Sequence, residues 1–181
     1  LQEHAALGND MTGTINKIQS IYEKTAVQNT ALHSMWVLNS IGGTDEEWLL
    51  KQTHHDNEHI RTWAIKLLCD QGPLTKKTKT RFIQMADKDT AGLVQLHLAS
   101  ALQQFPINER WPLATALTSH NTYAKDPVLP LMVWYGINPA IPKNHIEAVK
   151  LIANCKIPKV RQFIARRLAN KEDYTKDKGG N

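Results

Sequence analysis

Three histidines, His54, His55 and His59, crowd the stretch HHDNEH. Two imidazoles four residues apart can hold zinc when both lie on one face of one helix. Asp56 and Asn57 interrupt the set, and both residue types cap helices. The helix is therefore expected to begin after His54 and His55 and to carry His59 alone, so the stretch reads as a polar turn and no metal is expected. The sequence holds no HExxH, no nucleophile elbow and no glycine-rich phosphate loop. No catalytic residue is named from it, and no cofactor is expected. Cys69 and Cys155 stand far apart without metal-type spacing, as two buried free thiols would.

Aromatic and basic residues offer binding chemistry instead. Of the five tryptophans, Trp36 and Trp63 fall on core positions of a helical pattern and read as packing between repeats. In VWYG, Trp134 and Tyr135 flank the core positions Val133 and Gly136, so one of them is expected at the surface. The formal charge of +5 is mild, but Lys156, Lys159, Arg161, Arg166, Arg167 and Lys171 crowd the last helix. Lys159 and Arg166 share a side, whereas Arg167 takes a core position. Such an end could meet phosphate or an acidic partner; a solvated face that complements a helix C-terminus is the simpler reading. Arg61, Trp134, Tyr135, Arg161 and Arg166 are the candidate contact residues.

These side chains must be positioned by helices. In DNEHIRTWAIKLL, apolar residues fall at Ile60, Trp63, Ala64, Leu67 and Leu68, the i, i+3, i+4, i+7, i+8 stripe of a helix that lays one face on a core. Asp56 or Asn57 starts it, and Gly72 with Pro73 stops it. The same stripe recurs from Val94, from Leu129 and from Val160, with His97 and Arg167 as its polar departures and a weaker copy from Leu32. Shorter helices are expected between the copies, in TDEEWLLKQT, where Thr44 and Glu47 have capping-box spacing, and in TRFIQMA, RWPLATAL and HIEAVKLIAN. Pro112 suits an early helical position.

Short helix, turn and longer helix thus alternate about every 34 residues, with no strand-like alternation, the signature of stacked helical hairpins. The expected fold is all-α, an α-solenoid or α-α superhelix of the HEAT/armadillo kind, and the D-x-x-x-[IV]-R-x-x-A form of DNEHIRTWA favours HEAT. Residues 1–27 read as an incomplete leading segment around Ile15, Ile18 and Tyr22 without a clear partner, 28–170 as the repeat array, and 171–181 as a polar tail or linker. The two ends do not look like dedicated caps, so the sequence is expected to be a piece of a longer polypeptide. No apolar run is long enough to span a membrane, and no membrane insertion is expected.

ALHSMWVLNSIGG, VQLHLASALQQFP with DPVLPLMVWYGINP, and IPKVRQFIARRLA resemble the helical-repeat region of large bacterial envelope proteins, described as membrane-bound dehydrogenases or haem-binding CxxCH proteins. The resemblance covers about residues 28 to 170. It implies a non-catalytic scaffold lying between a sugar-dehydrogenase-like β-propeller and a c-type cytochrome module, with neighbouring domains or other proteins as partners and a periplasmic or cell-envelope location. Neither propeller nor CxxCH occurs in this sequence, so nothing redox-active carries over to its residues. Only Arg61 and Arg161 keep the repeat's arginine; Gln95 replaces it in one copy, and Asn138 stands where an acid is expected. The second reading is a nucleic-acid binder similar to the HEAT-like glycosylases of alkylated DNA. Trp63, Asp126 and Arg161 are the nearest residue types, but Trp63 reads as core and Asp126 as a cap, so the scaffold is preferred.

Overall fold

A computed structural model describes residues 11–170, and among these every regular element is a helix. The α-helices are α1 (Thr12–Lys24), α2 (Gln28–Ser40), α3 (Glu46–Gln52), α4 (Glu58–Asp70), α5 (Lys76–Lys88), α6 (Gly92–Ala101), α7 (Trp111–Thr118), α8 (Leu129–Ile137), α9 (His145–Asn154) and α10 (Pro158–Ala169). Short 3₁₀ turns fill 102–104, 107–109 and 138–143. No helix among the described residues is long and apolar enough to cross a membrane.

Polar side chains that accept the orphan amides of a first turn set several of the starts. Asn57 takes the His59 amide at 2.8 Å, Thr75 that of Thr78 at 3.2 Å, and Asn144 that of Glu147 at 3.1 Å. Asp126 accepts from both Val128 and Leu129, at 2.8 and 2.7 Å, which is the capping role expected of it. At α3 the cap is one residue later than its spacing suggests: Asp45 accepts the Trp48 amide at 2.7 Å, while Thr44 donates to the Asn39 side chain. Gly72, with φ of +118°, turns the chain beyond α4 in a conformation that other residues adopt only with strain.

The chain divides into two compact units, one reaching to Gln71 and one starting at Gly72. In the first, α1 lies on α2, α3 on α4, and α2 on α4. Met35, Leu38, Leu49, Ile60 and Ala64 are fully enclosed there. The leading segment does find a partner: Tyr22 is buried, tilts against Trp48 at 5.1 Å between ring centres, and donates its hydroxyl to Gln52 at 2.7 Å.

In the second unit α5 lies against α7 and α7 against α9, while α6 lies against α8 and α8 against α10. Two rows of helices result, and α5, α7 and α9 begin at residues 76, 111 and 145. The segments joining α7 to α8 and α9 to α10 are each tied to the preceding hairpin. His120 donates from its ring to the Asp87 carbonyl at 3.0 Å, Tyr123 from its hydroxyl to the Thr90 carbonyl, and the Lys156 amide to the Thr118 carbonyl at 2.7 Å.

The helical stripe buries its positions unevenly. Ile60, Val94, Leu129 and Val160, the first residues of the four copies, are all enclosed, as are Ala64, Leu98, Val133 and Ile164 four residues on. The i+3 residues Trp63, His97, Met132 and Phe163 are half-buried without exception, and so are Arg167 and Leu168 in the last copy. In the weak first copy Leu32 and Met35 are buried, but Trp36 is turned outward and meets the ring of Trp63 edge-on at 4.9 Å. Trp36 and Trp63 thus pack on each other at a core margin.

A second regularity concerns the residue after the stripe's first position in α4 and in α6. Arg61 donates to the carbonyls of His55 and Asp56, at 2.9 and 2.8 Å, closing the turn between α3 and α4. Gln95, at the equivalent place, donates to the carbonyls of Ala86 and Asp89, at 3.1 and 2.6 Å, closing the turn between α5 and α6. The glutamine that departs from the arginine pattern therefore does the arginine's structural work.

Candidate interaction surface

The row α6, α8 and α10 carries most of the expected contact residues. The segments GLVQLHLASA, LPLMVWYGI and PKVRQFIARRLA contain no Asp or Glu, and all their formal charge is positive and confined to α10. Two neighbouring helices with this composition can pack because aromatic contact replaces ion pairing. Trp134 of α8 meets Phe163 of α10 at 5.3 Å between ring centres, tilted by 37°, and both rings are half-buried.

That contact orients the rest of the surface. Lys159, Phe163 and Arg166 follow at i, i+4 and i+7, so the two cations share the side of α10 that reaches Trp134. On α8, Leu131, Trp134 and Tyr135 share a side in the same way, with Leu131 half-buried and Tyr135 60% exposed. Tyr135 is thus the member of the WY pair that reaches solvent. Arg161 and Arg166 are both exposed on α10, but five residues set them on different sides of the helix, and Arg166 is the one that shares the side of Phe163. Trp134, Tyr135 and Arg166 are brought together on adjoining helices; Arg61 lies in the first unit, half-buried, and is engaged with the α3–α4 turn.

The underside of this surface is held by a residue that the sequence reading missed. Arg110, buried, donates Nε to the Phe105 carbonyl at 3.0 Å, Nη1 to Gly136 at 2.7 Å and Nη2 to Gln103 at 3.1 Å. The guanidinium gathers carbonyls from the turn that follows α6 and from the last turn of α8, where the helix dipole is negative. Burial lowers its pKa from the usual arginine value. Its only sequence signal is an isolated arginine just ahead of a Trp-Pro helix start, which does not announce a clamp.

Each unit also has a concavity among the described residues. Within the second unit a groove of about 690 Å³ crosses α7, lined there by Pro112, Thr115 and Ala116 and beyond its end by Ser119, between Ile83 of α5 and Glu147 of α9. Within the first unit a hollow of about 430 Å³ is lined by Tyr22, Trp48, Lys51, Gln52, His55 and Ile60. His55 there accepts the Asn57 amide through Nδ1 at 3.0 Å, so it belongs to the turn, as expected of HHDNEH. Cys69 is half-buried and Cys155 buried, both free, and burial helped by the Asp70 carboxylate pushes the Cys69 thiol up to about 12. No cluster of three His, Cys, Asp or Glu suited to a metal occurs among the described residues.

No protein-family model matches the chain, and comparison with curated proteins and with solved structures found no match.

Proposed function

We propose that the chain is a non-catalytic helical-repeat scaffold of the HEAT/armadillo kind, whose stacked hairpins present a surface to neighbouring domains or to another protein. The observation that carries this reading is the packing of the second unit, in which helices of each row touch the next helix of the same row at a spacing close to 34 residues. The equivalent turn closures by Arg61 and Gln95 support a common repeat unit. On the resemblance of its helical phrases to the bacterial dehydrogenase and CxxCH proteins, the proposal extends to a place inside a larger exported protein.

The nucleic-acid reading lacks a constellation. Asp126 holds the start of α8, Trp63 packs on Trp36, and within the row of α6, α8 and α10 the cations are confined to α10. Co-expression of the chain with separately encoded neighbouring segments of its complete reading frame, followed by size-exclusion chromatography, tests the scaffold. Co-elution with one of them is expected. Failure to co-elute, together with salt-sensitive micromolar binding to duplex DNA, overturns the scaffold in favour of nucleic acid.

A further inference from the structure

We propose that the face formed by α8 and α10 binds an acidic peptide segment bearing apolar side chains, with Tyr135 and the Trp134–Phe163 pair receiving the apolar groups and Lys159 and Arg166 receiving the carboxylates. The proposal rests on the scaffold reading and gives its partner a chemistry.

Charge complementarity fixes the occupant. The three helices of this row carry no carboxylate, so an approaching anion meets no repulsion from them. Lys159, Arg161 and Arg166 are exposed and form no ion pair among the described residues, whereas Lys66, Lys79 and Lys150 elsewhere each hold an acid. An unpaired cation beside a half-buried aromatic pair is a site where a carboxylate gains attraction without displacing an internal partner.

The apolar component separates a peptide from a nucleic acid. A nucleic-acid strand carries charge at every step and asks for cations along its whole path. Here the cations end at α10, and the path across α8 and α6 is Tyr135, Leu131, Leu96 and Leu93, the last three half-buried. Trp134 and Phe163 face each other, leaving no gap between them for a base. Aromatic and arginine residues are also the common anchors of protein interfaces.

The test uses the full chain and a short fluorescent peptide in which Leu and Phe alternate with Asp and Glu, read by anisotropy. Binding is expected, with roughly tenfold weakening by Tyr135→Ala and by the pair Lys159→Glu and Arg166→Glu. All three side chains are at the surface, so unfolding midpoints should be unchanged, which separates lost binding from lost folding. Equal binding of a peptide with Lys in place of Asp and Glu overturns the charge argument, and tighter binding of single-stranded oligo-dT assigns the face to nucleic acid. Absence of peptide binding, or self-association of the chain that the same variants abolish, also overturns the proposal. If these variants still co-elute with a neighbouring segment, this face fails as the docking site while the scaffold stands.

Discussion

Gly136 and Leu102 leave no room between their helices: a methyl group added at Gly136 would lie 2.6 Å from the leucine Cβ and 2.9 Å from its Cδ1. Contact at that distance with an atom fixed to the backbone cannot be relieved by a rotamer change. Gly136→Ala is therefore expected to destabilise the chain by about 2 kcal/mol despite the helix propensity gained. Gly92 makes the comparison, because its added methyl meets the side-chain ring of Tyr123 at 3.1 Å, a contact that a small shift of the ring relieves with its hydroxyl still on the Thr90 carbonyl. Gly92→Ala should change stability by no more than about 0.5 kcal/mol. Urea unfolding of both variants checks the contrast.

Arg110 bonds three carbonyls with one planar group. Arg110→Met keeps much of the apolar stem but leaves those carbonyls without their donor, and a loss of about 3 kcal/mol is expected. Arg110→Lys should recover less than half of it, because an ammonium lacks the forked geometry. Full rescue by lysine in thermal unfolding would show that charge alone matters.

The two turn closures differ in burial. Gln95 is buried and Arg61 is half-buried. Water can replace the arginine at the α3–α4 turn but not the glutamine at the α5–α6 turn. Gln95→Ala is expected to cost about 1.5 kcal/mol, and Arg61→Ala about 0.5 kcal/mol. Gln95→Glu should be as damaging as alanine, since a carboxylate cannot donate to the Ala86 and Asp89 carbonyls.

Alkaline pH should weaken the first unit. Burial pushes Tyr22 up to about 12 from 10.0, and Cys69 up to about 12 from 9.0. Both groups stay protonated in the folded chain while the unfolded chain deprotonates, so their contribution is complete below pH 9 and is lost as pH rises toward 12. Tyr22→Phe and Cys69→Ala should each flatten the fall of the urea midpoint across that window. An unchanged slope in both variants would refute this origin.

Helices were legible in the sequence because a burial stripe of period 3.6 needs only local spacing: the expected segments around Ile60, Val94, Leu129 and Val160 all form. The half-burial of Trp63, His97, Met132 and Phe163 was not legible, since the margin of a stripe depends on the neighbour it meets. That one of Trp134 and Tyr135 reaches the surface followed from their place beside Val133 and Gly136; that it is Tyr135 did not, because the neighbour that half-buries Trp134 is Phe163, 29 residues on. The Trp134–Phe163 contact and the Arg110 clamp join residues 26 to 29 positions apart and depend on how α8 stands against its neighbours. Residue type alone could not give that. Residues 171–181, read as a polar tail or linker, and Lys171 among them lie outside the described residues.

The ties made by His120, Tyr123 and the Lys156 amide each reach back by one hairpin and no further. Peeling α9 and α10 away would break the Lys156 tie and leave those of His120 and Tyr123 closed. Loss of structure in the second unit can therefore advance from its C-terminal side in steps, like a row of snaps opened in order, and amide protons in α10 should exchange with solvent sooner than those in α6.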